Sequence, residues 1–103
     1  MATENNYDLT KLQTVRASRF GFDLHTTPEY AWKYTEIVFE EMTALLIRQM
    51  ATRARAFIDI GAHYGFYSVL AGLSNPDLDI IAFEPIPENF EVLQKNLDLH
   101  QIN

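Results

Sequence analysis

The stretch that decides the fold runs from Phe57 to Tyr67 and reads FIDIGAHYGFY. Its first four residues are apolar except for Asp59 and predict a short buried strand, whereas residues 61–65 predict a tight turn that leads into a helix. A second apolar run, IIAF at residues 80–83, also stops at an acid, Glu84. A strand, a glycine turn, a helix and a second strand that ends in a carboxylate predict a nucleoside-binding βαβ unit.

Length and composition limit the classes of protein to consider. The 103 residues suffice for one small domain, and an apolar content of 48% is typical of a globular chain. No run approaches the roughly 18 apolar residues needed to span a bilayer, and the polar start carries no signal-peptide pattern. Cysteine is absent from the sequence, which excludes disulfides and thiolate metal sites. We therefore expect a cytoplasmic protein with no membrane partner and no bound metal.

The charge is concentrated in the second half of the chain. Residues 1–56 hold seven acids and seven bases, whereas residues 57–103 hold seven acids and one base, Lys95, which accounts for the net charge of −6. A surface this acidic repels a phosphate backbone, so we expect no nucleic-acid partner. It favours a cationic ligand over an anionic one.

A long helix is predicted ahead of the first strand. Thr26 and Glu29 have the spacing of a capping box, and Pro28 is well tolerated in a first helical turn. Apolar residues then recur at steps of three and four, which predicts one helix over residues 28–50 that packs against the core. This apolar stripe consists of Tyr30, Tyr34, Ile37, Val38, Met42, Leu45 and Leu46. Residues 1–27 have no such pattern, and we interpret them as an N-terminal arm that is either mobile or forms a helical turn or two.

The glycine turn differs from that of dinucleotide-binding proteins. Gly61 allows the backbone to turn sharply and leaves no Cβ where a ligand approaches, and Gly65 does the same at the start of the helix. The spacing is Gly-x-x-x-Gly, whereas dinucleotide binders use Gly-x-Gly-x-x-Gly to bring backbone N–H groups onto a pyrophosphate. His63 stands at the middle position and the Asp59 carboxylate precedes the turn. This arrangement favours an ammonium or sulfonium group.

Two motifs taken together resemble a known family. Asp59-x-Gly61-Ala62-x-x-Gly65, combined with AFEPIPENF at residues 82–90, is similar to the S-adenosylmethionine-dependent methyltransferases of the FkbM type. The resemblance covers residues 56–100. It implies an α/β fold, namely a partial Rossmann-like class I methyltransferase fold in which a long N-terminal helix is followed by a β-α-β-α unit with two parallel strands.

The resemblance also implies roles for the motif residues. The glycine turn would pass under the methionine and ribose parts of S-adenosylmethionine, Glu84 would accept hydrogen bonds from both ribose hydroxyls, and Asp59 would help to hold the methionine ammonium. The family commonly has Asn where this chain has His63. No catalytic residue is assigned. The cofactor-binding residues that we expect are Asp59, Gly61, Ala62, His63, Gly65, Glu84 and Pro85.

The resemblance further implies that part of the domain is absent from this sequence. Residues 28–103 reach Asn103 before the third strand of such a domain, its adenine-binding acid and its acceptor loops. We therefore expect the N-terminal portion of a methyltransferase domain that is inactive alone. Full-length relatives usually transfer the methyl group to a hydroxyl oxygen of a sugar or secondary metabolite, so the acceptor is an unidentified small molecule.

Two alternatives belong to other functional classes. The first is a nicotinamide-dinucleotide-binding fragment, which shares the strand, turn and helix but which the missing middle glycine disfavours. The second is a non-catalytic interaction module, in which an exposed sheet edge pairs with a second copy or with a complementing chain.

Overall fold

The computed structural model describes residues 9–35 and 40–103, which form an α/β structure. In this part of the chain there are two small sheets and four α-helices, none of which is both long and apolar enough to cross a membrane. A short 3-10 helix, Leu9–Lys11, comes first. The elements that follow are β1 Gln13–Ala17, β2 Phe22–Thr26, α1 Pro28–Thr35, α2 Glu41–Ala51, β3 Ala56–Ile60, α3 Phe66–Ser74, β4 Asp79–Phe83 and α4 Pro87–Leu99.

The βαβ unit forms where the sequence predicts it. β3 and β4 pair in parallel, with Asp59 opposite Ala82 and Ile60 opposite Phe83. Helix α3 begins after Gly65 and contacts both strands. Exposure alternates along each strand, as expected for side chains that point to opposite faces of a sheet. Asp59 lies on the half-buried face, and Ile60 lies on the exposed one.

Residues 13–26 form an antiparallel β-hairpin, which corrects the interpretation of this part of the N-terminal arm as mobile or helical, whereas Leu9–Lys11 does form one helical turn. The strands pair from Gln13 with Thr26 to Ala17 with Phe22. Phe22, Leu24 and Thr26 are buried and the alternate residues, Asp23 and His25, are partly exposed, which is the period-two pattern of a strand. This alternation covers only five residues, and its polar residues are equally common in loops, so the sequence alone did not indicate a strand here.

The single helix predicted over residues 28–50 is instead two helices. α1 begins at Pro28 as predicted but ends at Thr35, and α2 begins at Glu41. Residues 36–39 lie outside the described part of the chain. Glu40 has a φ of 44°, in the left-handed region, and therefore cannot continue a right-handed helix. The spacing of apolar residues persists from one helix into the next, so periodicity alone does not reveal the break.

The buried face of α2 also differs from the predicted stripe. Met42 and Leu46 belong to that stripe but are exposed, whereas Ala44 and Ala51 are buried. α2 packs against α3. Small side chains on the buried face allow two helices to approach closely. Ile47 also packs against the core, whereas Met42 and Leu46 point away from it.

The core lies between the hairpin, α1 and α3. The Phe66 ring is its centre, with ring centroids 5.9 Å from Phe20, 5.4 Å from Phe22 and 5.5 Å from Tyr34. Offset and edge contacts of this kind stabilise aromatic clusters beyond the burial of their area. The first residue of α3, which follows the glycine turn, is thus fixed by the hairpin and by α1.

Two buried polar contacts tie the glycine turn to the rest of the molecule. The Asn96 side chain accepts a hydrogen bond from the His25 N–H at 2.6 Å and donates to the carbonyls of His25 at 3.0 Å and Tyr64 at 2.7 Å. The Tyr64 hydroxyl and the Thr27 Oγ1 are 2.8 Å apart and share a hydrogen bond. Since Asn96, Thr27 and Tyr64 are fully buried, the turn is held rigidly from both sides.

Candidate functional site

The glycine turn folds back onto the end of β4. The N–H groups of Gly61 and Ala62 both donate to the carbonyl of Phe83, each at 2.9 Å, and the N–H of Gly65 donates to the carbonyl of Ala62 at 2.9 Å. Gly61 and Gly65 have φ values of 75° and 92°, in the region that glycine adopts at little cost. His63, at a φ of 55°, also lies there. The turn therefore brings the ends of β3 and β4 close to each other.

The two glycines of the turn differ in the space that surrounds them. A Cβ added to Gly61 would meet no atom within 4 Å, so the space above this residue is open. A Cβ added to Gly65 would lie 2.6 Å from the Leu93 Cδ1. Gly61 thus has the clearance predicted for ligand approach, whereas the structure places Gly65 against helix α4, where it permits close packing.

Asp59 lies at the half-buried face of β3, next to α3. Its Oδ2 accepts a hydrogen bond from the Ser68 hydroxyl at 2.7 Å. Burial raises the pKa of the Asp59 carboxyl; the Ser68 hydrogen bond opposes this shift and the charge of Glu84 adds to it. An ionised carboxylate in this position is stabilised by a cation, since a nearby positive charge offsets both burial and the second acid.

Replacing Asp59 by asparagine is expected to raise the melting temperature at pH 7. The folded-state pKa of Asp59 lies above its unfolded value of 3.8. Ionisation therefore costs the folded state stability, and this cost grows as the pH rises from the unfolded pKa through the folded one. The advantage of Asp59→Asn should accordingly disappear below about pH 3.8. Thermal unfolding of the wild type and of Asp59→Asn at a series of pH values measures this difference in melting temperature. Asp79→Asn, which changes an exposed acid in the neighbouring strand, is the control. A lower melting temperature at pH 7 would mean that the hydrogen bond from Ser68 outweighs burial.

Glu84 follows β4 and caps the turn. Its Oε1 accepts a hydrogen bond from the His63 N–H at 2.7 Å, and its Oε2 accepts from the Ile86 N–H at 3.2 Å and from the Asn89 Nδ2 at 3.4 Å. A carboxylate offers about four acceptor positions, so three protein donors leave room for a further one. Glu84 directly follows Phe83, which pairs with Ile60, the residue after Asp59, so the two acids lie at adjacent strand ends. The charge of Glu84 accordingly raises the pKa of Asp59.

A hollow of about 360 Å³ lies beside Gly61, within the size range of small-molecule sites. One wall is the strand and turn, and it contains four of the seven expected cofactor-binding residues: Asp59, Gly61, Ala62 and His63. The other three lie outside this wall. Gly65 packs on Leu93, Glu84 caps the turn through the His63 backbone, and Pro85 is exposed.

The rest of the lining comes from residues that the sequence did not assign to a site. α1 contributes Tyr30, Lys33 and Tyr34, and Glu40 and Tyr67 also line the hollow, with the Tyr67 hydroxyl donating to the Glu40 carboxylate. Tyr30 and Tyr34 are spaced four apart, which is typical of any buried helix face. The sequence carries no signal that would separate these residues from an ordinary core stripe.

His63 forms part of an aromatic wall of the hollow. Its ring stacks on Tyr64 with centroids 4.0 Å apart, and Tyr30 contacts it edge-on at 4.8 Å. Burial lowers the pKa of His63; the charge of Glu84 opposes this shift and that of Lys33 adds to it. The imidazole is thus mainly uncharged at neutral pH.

No metal centre is present in residues 9–35 and 40–103, since no group of three or more His, Asp or Glu residues there could hold an ion. The site accordingly consists of two nearby carboxylates, a glycine turn with open space above it and an aromatic wall. Such an arrangement can bind an organic cation through charge, hydrogen bonds and aromatic contact.

Over 46 residues, or 45% of the chain, the sequence is 33% identical to a protein named Methyltransferase 1 from Beauveria bassiana (strain ARSEF 2860). The matched stretch spans 18% of the length of that curated relative. No protein-family model matches the chain, and no solved structure matches it. The similarity therefore indicates a methyltransferase over part of the chain.

Proposed function

We propose that this chain is the cofactor-binding part of an S-adenosylmethionine-dependent methyltransferase of the FkbM type. The observation that carries the proposal is the open hollow above Gly61, bordered by Asp59 and with Glu84 close by. A nucleoside would not fit here if Asp59 and Glu84 lay on opposite faces of the sheet or if a side chain filled the hollow. The partial similarity to a methyltransferase supports the same activity.

The residues present fit this cofactor better than a dinucleotide. Bound S-adenosylmethionine would supply an electrophilic methyl group on a sulfonium. The Asp59 carboxylate would bind its ammonium, and the remaining acceptor capacity of Glu84 would bind a ribose hydroxyl. A pyrophosphate placed in the same hollow would lie beside these carboxylates and would be repelled by them. This disfavours the nicotinamide alternative.

The methyl acceptor that we propose is a small molecule with a free hydroxyl, such as a sugar or secondary metabolite. Catalysis would come chiefly from positioning the acceptor and from excluding water around the reacting centre. No residue of this chain is assigned to proton transfer. We expect the chain alone to bind the cofactor weakly and to turn over little, and its cytoplasmic location remains a prediction.

Calorimetry with S-adenosylhomocysteine and with NAD tests the proposal. We expect S-adenosylhomocysteine to bind and NAD to bind more weakly, and a preference for NAD would end the methyltransferase hypothesis. The matched variants are Gly61→Ala and Gly21→Ala, since both glycines have a positive φ and neither added Cβ would meet an atom within 4 Å. Both variants should lose about 1 kcal/mol of stability, but Gly61→Ala alone should weaken binding of S-adenosylhomocysteine.

The outer face of the parallel sheet favours a second candidate function, that of an interaction module. Its side chains form two cross-strand apolar pairs: Ile58 and Ile81 are 59% and 47% exposed, and Ile60 and Phe83 are 80% and 53% exposed. Parallel sheets are normally covered on both faces. The partner would be a second copy or a complementing chain. Sedimentation of the wild type and of Ile60→Lys tests the second copy, and a monomer at all concentrations would exclude it.

A further inference from the structure

Helix α2 carries a row of large apolar side chains that faces solvent. Met42, Leu46 and Met50 are spaced four residues apart and are all more than half exposed. Side chains at this spacing lie on one face of a helix, and we call this row the α2 ridge. Arg53 follows Met50 by three residues, just past the end of α2, and is also exposed. The ridge is therefore apolar along its length and basic at its end.

Helix α2 and the outer face of the parallel sheet lie on opposite sides of that sheet. Ala51 of α2 and Ala71 of α3 belong to one buried cluster, against which Phe57 and Ile80 pack from the half-buried face. Both helices thus lie on the half-buried face, and the outer face points away from them. An α2 ridge can consequently reach an outer face only in another copy of the chain.

The α2 ridge and the outer face match in length and in charge. The outer face spans about 13 Å from Asp79 to Phe83 at 3.3 Å per residue, and the ridge spans about 16 Å from Met42 to Arg53 at 1.5 Å per residue. Asp79 lies on the outer face where β4 begins, and the apolar pair of Ile60 and Phe83 lies at the other end. The outer face is therefore apolar along its length and acidic at its end.

We propose that the α2 ridge of one copy packs on the outer face of the sheet of a second copy, with Arg53 beside Asp79. The inference rests on the second candidate function, because it names the surface that would cover the sheet there. In this direction the helix runs antiparallel to the strands, as the helices of βαβ units do, and it supplies the helical layer that parallel sheets normally have on both faces. Apolar contact would provide most of the affinity, whereas an exposed ion pair would chiefly fix the direction of the helix.

This pairing joins two different surfaces, which distinguishes it from contact between two outer faces. A change to either surface alters every contact between identical copies. A mixture of two variants, one changed on the helix and one on the sheet, still brings an intact α2 ridge to an intact outer face. Contact between two outer faces would not depend on α2.

Sedimentation velocity of the full chain over a range of concentrations tests the pairing. The wild type should self-associate, and Ile60→Lys on the sheet and Leu46→Glu on the helix should each raise the Kd of self-association by at least about 30-fold, because each would bury an unpaired charge. An equimolar mixture should associate at least about tenfold more tightly than either variant alone, since it restores one intact contact and brings the two opposite charges together in the other.

Gln94→Lys is the matched control, since Gln94 is exposed on helix α4, and it should associate like the wild type. Ile60 and Leu46 are exposed in the single chain, so neither change should unfold it. Phe83→Lys and Met50→Glu replace any variant that does unfold.

Loss of association in Ile60→Lys but not in Leu46→Glu would overturn the pairing and leave the outer face standing as an interface. A mixture no tighter than its components would also overturn the pairing alone. Unchanged association of Ile60→Lys, or a wild type that stays monomeric at all concentrations, would overturn both the pairing and the second-copy form of the second candidate function.

Discussion

Replacing Gly65 by alanine is expected to destabilise the protein by about 2–5 kcal/mol. Two costs combine at this position. The backbone has a φ of 92°, which strains any residue with a Cβ, and the added Cβ would lie 2.6 Å from the Leu93 Cδ1. Leu93 is 1% exposed, so its side chain has little room to move away. The measurement is the free energy of unfolding in urea.

Gly61→Ala is the matched control, because its φ of 75° imposes a similar strain while its Cβ would meet no atom within 4 Å. It should lose about 1 kcal/mol. Leu93→Ala made together with Gly65→Ala should cost less than the sum of the two single changes, since shortening this side chain removes the overlap. Equal destabilisation by the two glycine variants would show that α4 does not approach the turn as closely as the structure indicates.

The βαβ unit was predictable because its signals are local. A short apolar strand, a glycine turn and an acid at the next strand end all lie within residues 57–84, and each constrains its neighbours directly. The open space above Gly61 and the proximity of Asp59 to Glu84 follow from parallel pairing of the two strands, which places their carboxyl ends at one edge of the sheet.

The remaining parts of the site depend on contacts between distant residues. The Tyr64 hydroxyl reaches Thr27, and Asn96 reaches His25 across 71 positions of sequence. No periodicity encodes such contacts. For the same reason Lys33 attracted no notice in the sequence, although the fold brings it to the hollow. The break at Glu40 depends on one backbone angle, which a pattern of apolar residues does not report.

Replacing Glu84 by alanine is expected to weaken the binding of S-adenosylhomocysteine by about 10- to 150-fold. This corresponds to roughly 1.5–3 kcal/mol, the usual contribution of hydrogen bonds to a charged group. The same change removes the acceptor of the His63 and Ile86 N–H groups, so the free energy of unfolding should fall as well. Calorimetry gives the first quantity and urea unfolding gives the second.

The two effects of Glu84 are separated by changing the ligand as well as the protein. If the carboxylate binds the ribose, the wild type should prefer S-adenosylhomocysteine to its 2′,3′-dideoxy analogue, and Glu84→Ala should lose that preference. If Glu84 only caps the turn, Glu84→Ala should weaken the binding of both ligands equally, because the ribose hydroxyls would not contact the carboxylate. Glu84→Gln keeps a carbonyl oxygen that can accept from the His63 N–H and removes the charge. It should therefore retain more stability than Glu84→Ala while still binding the ribose less tightly than the wild type.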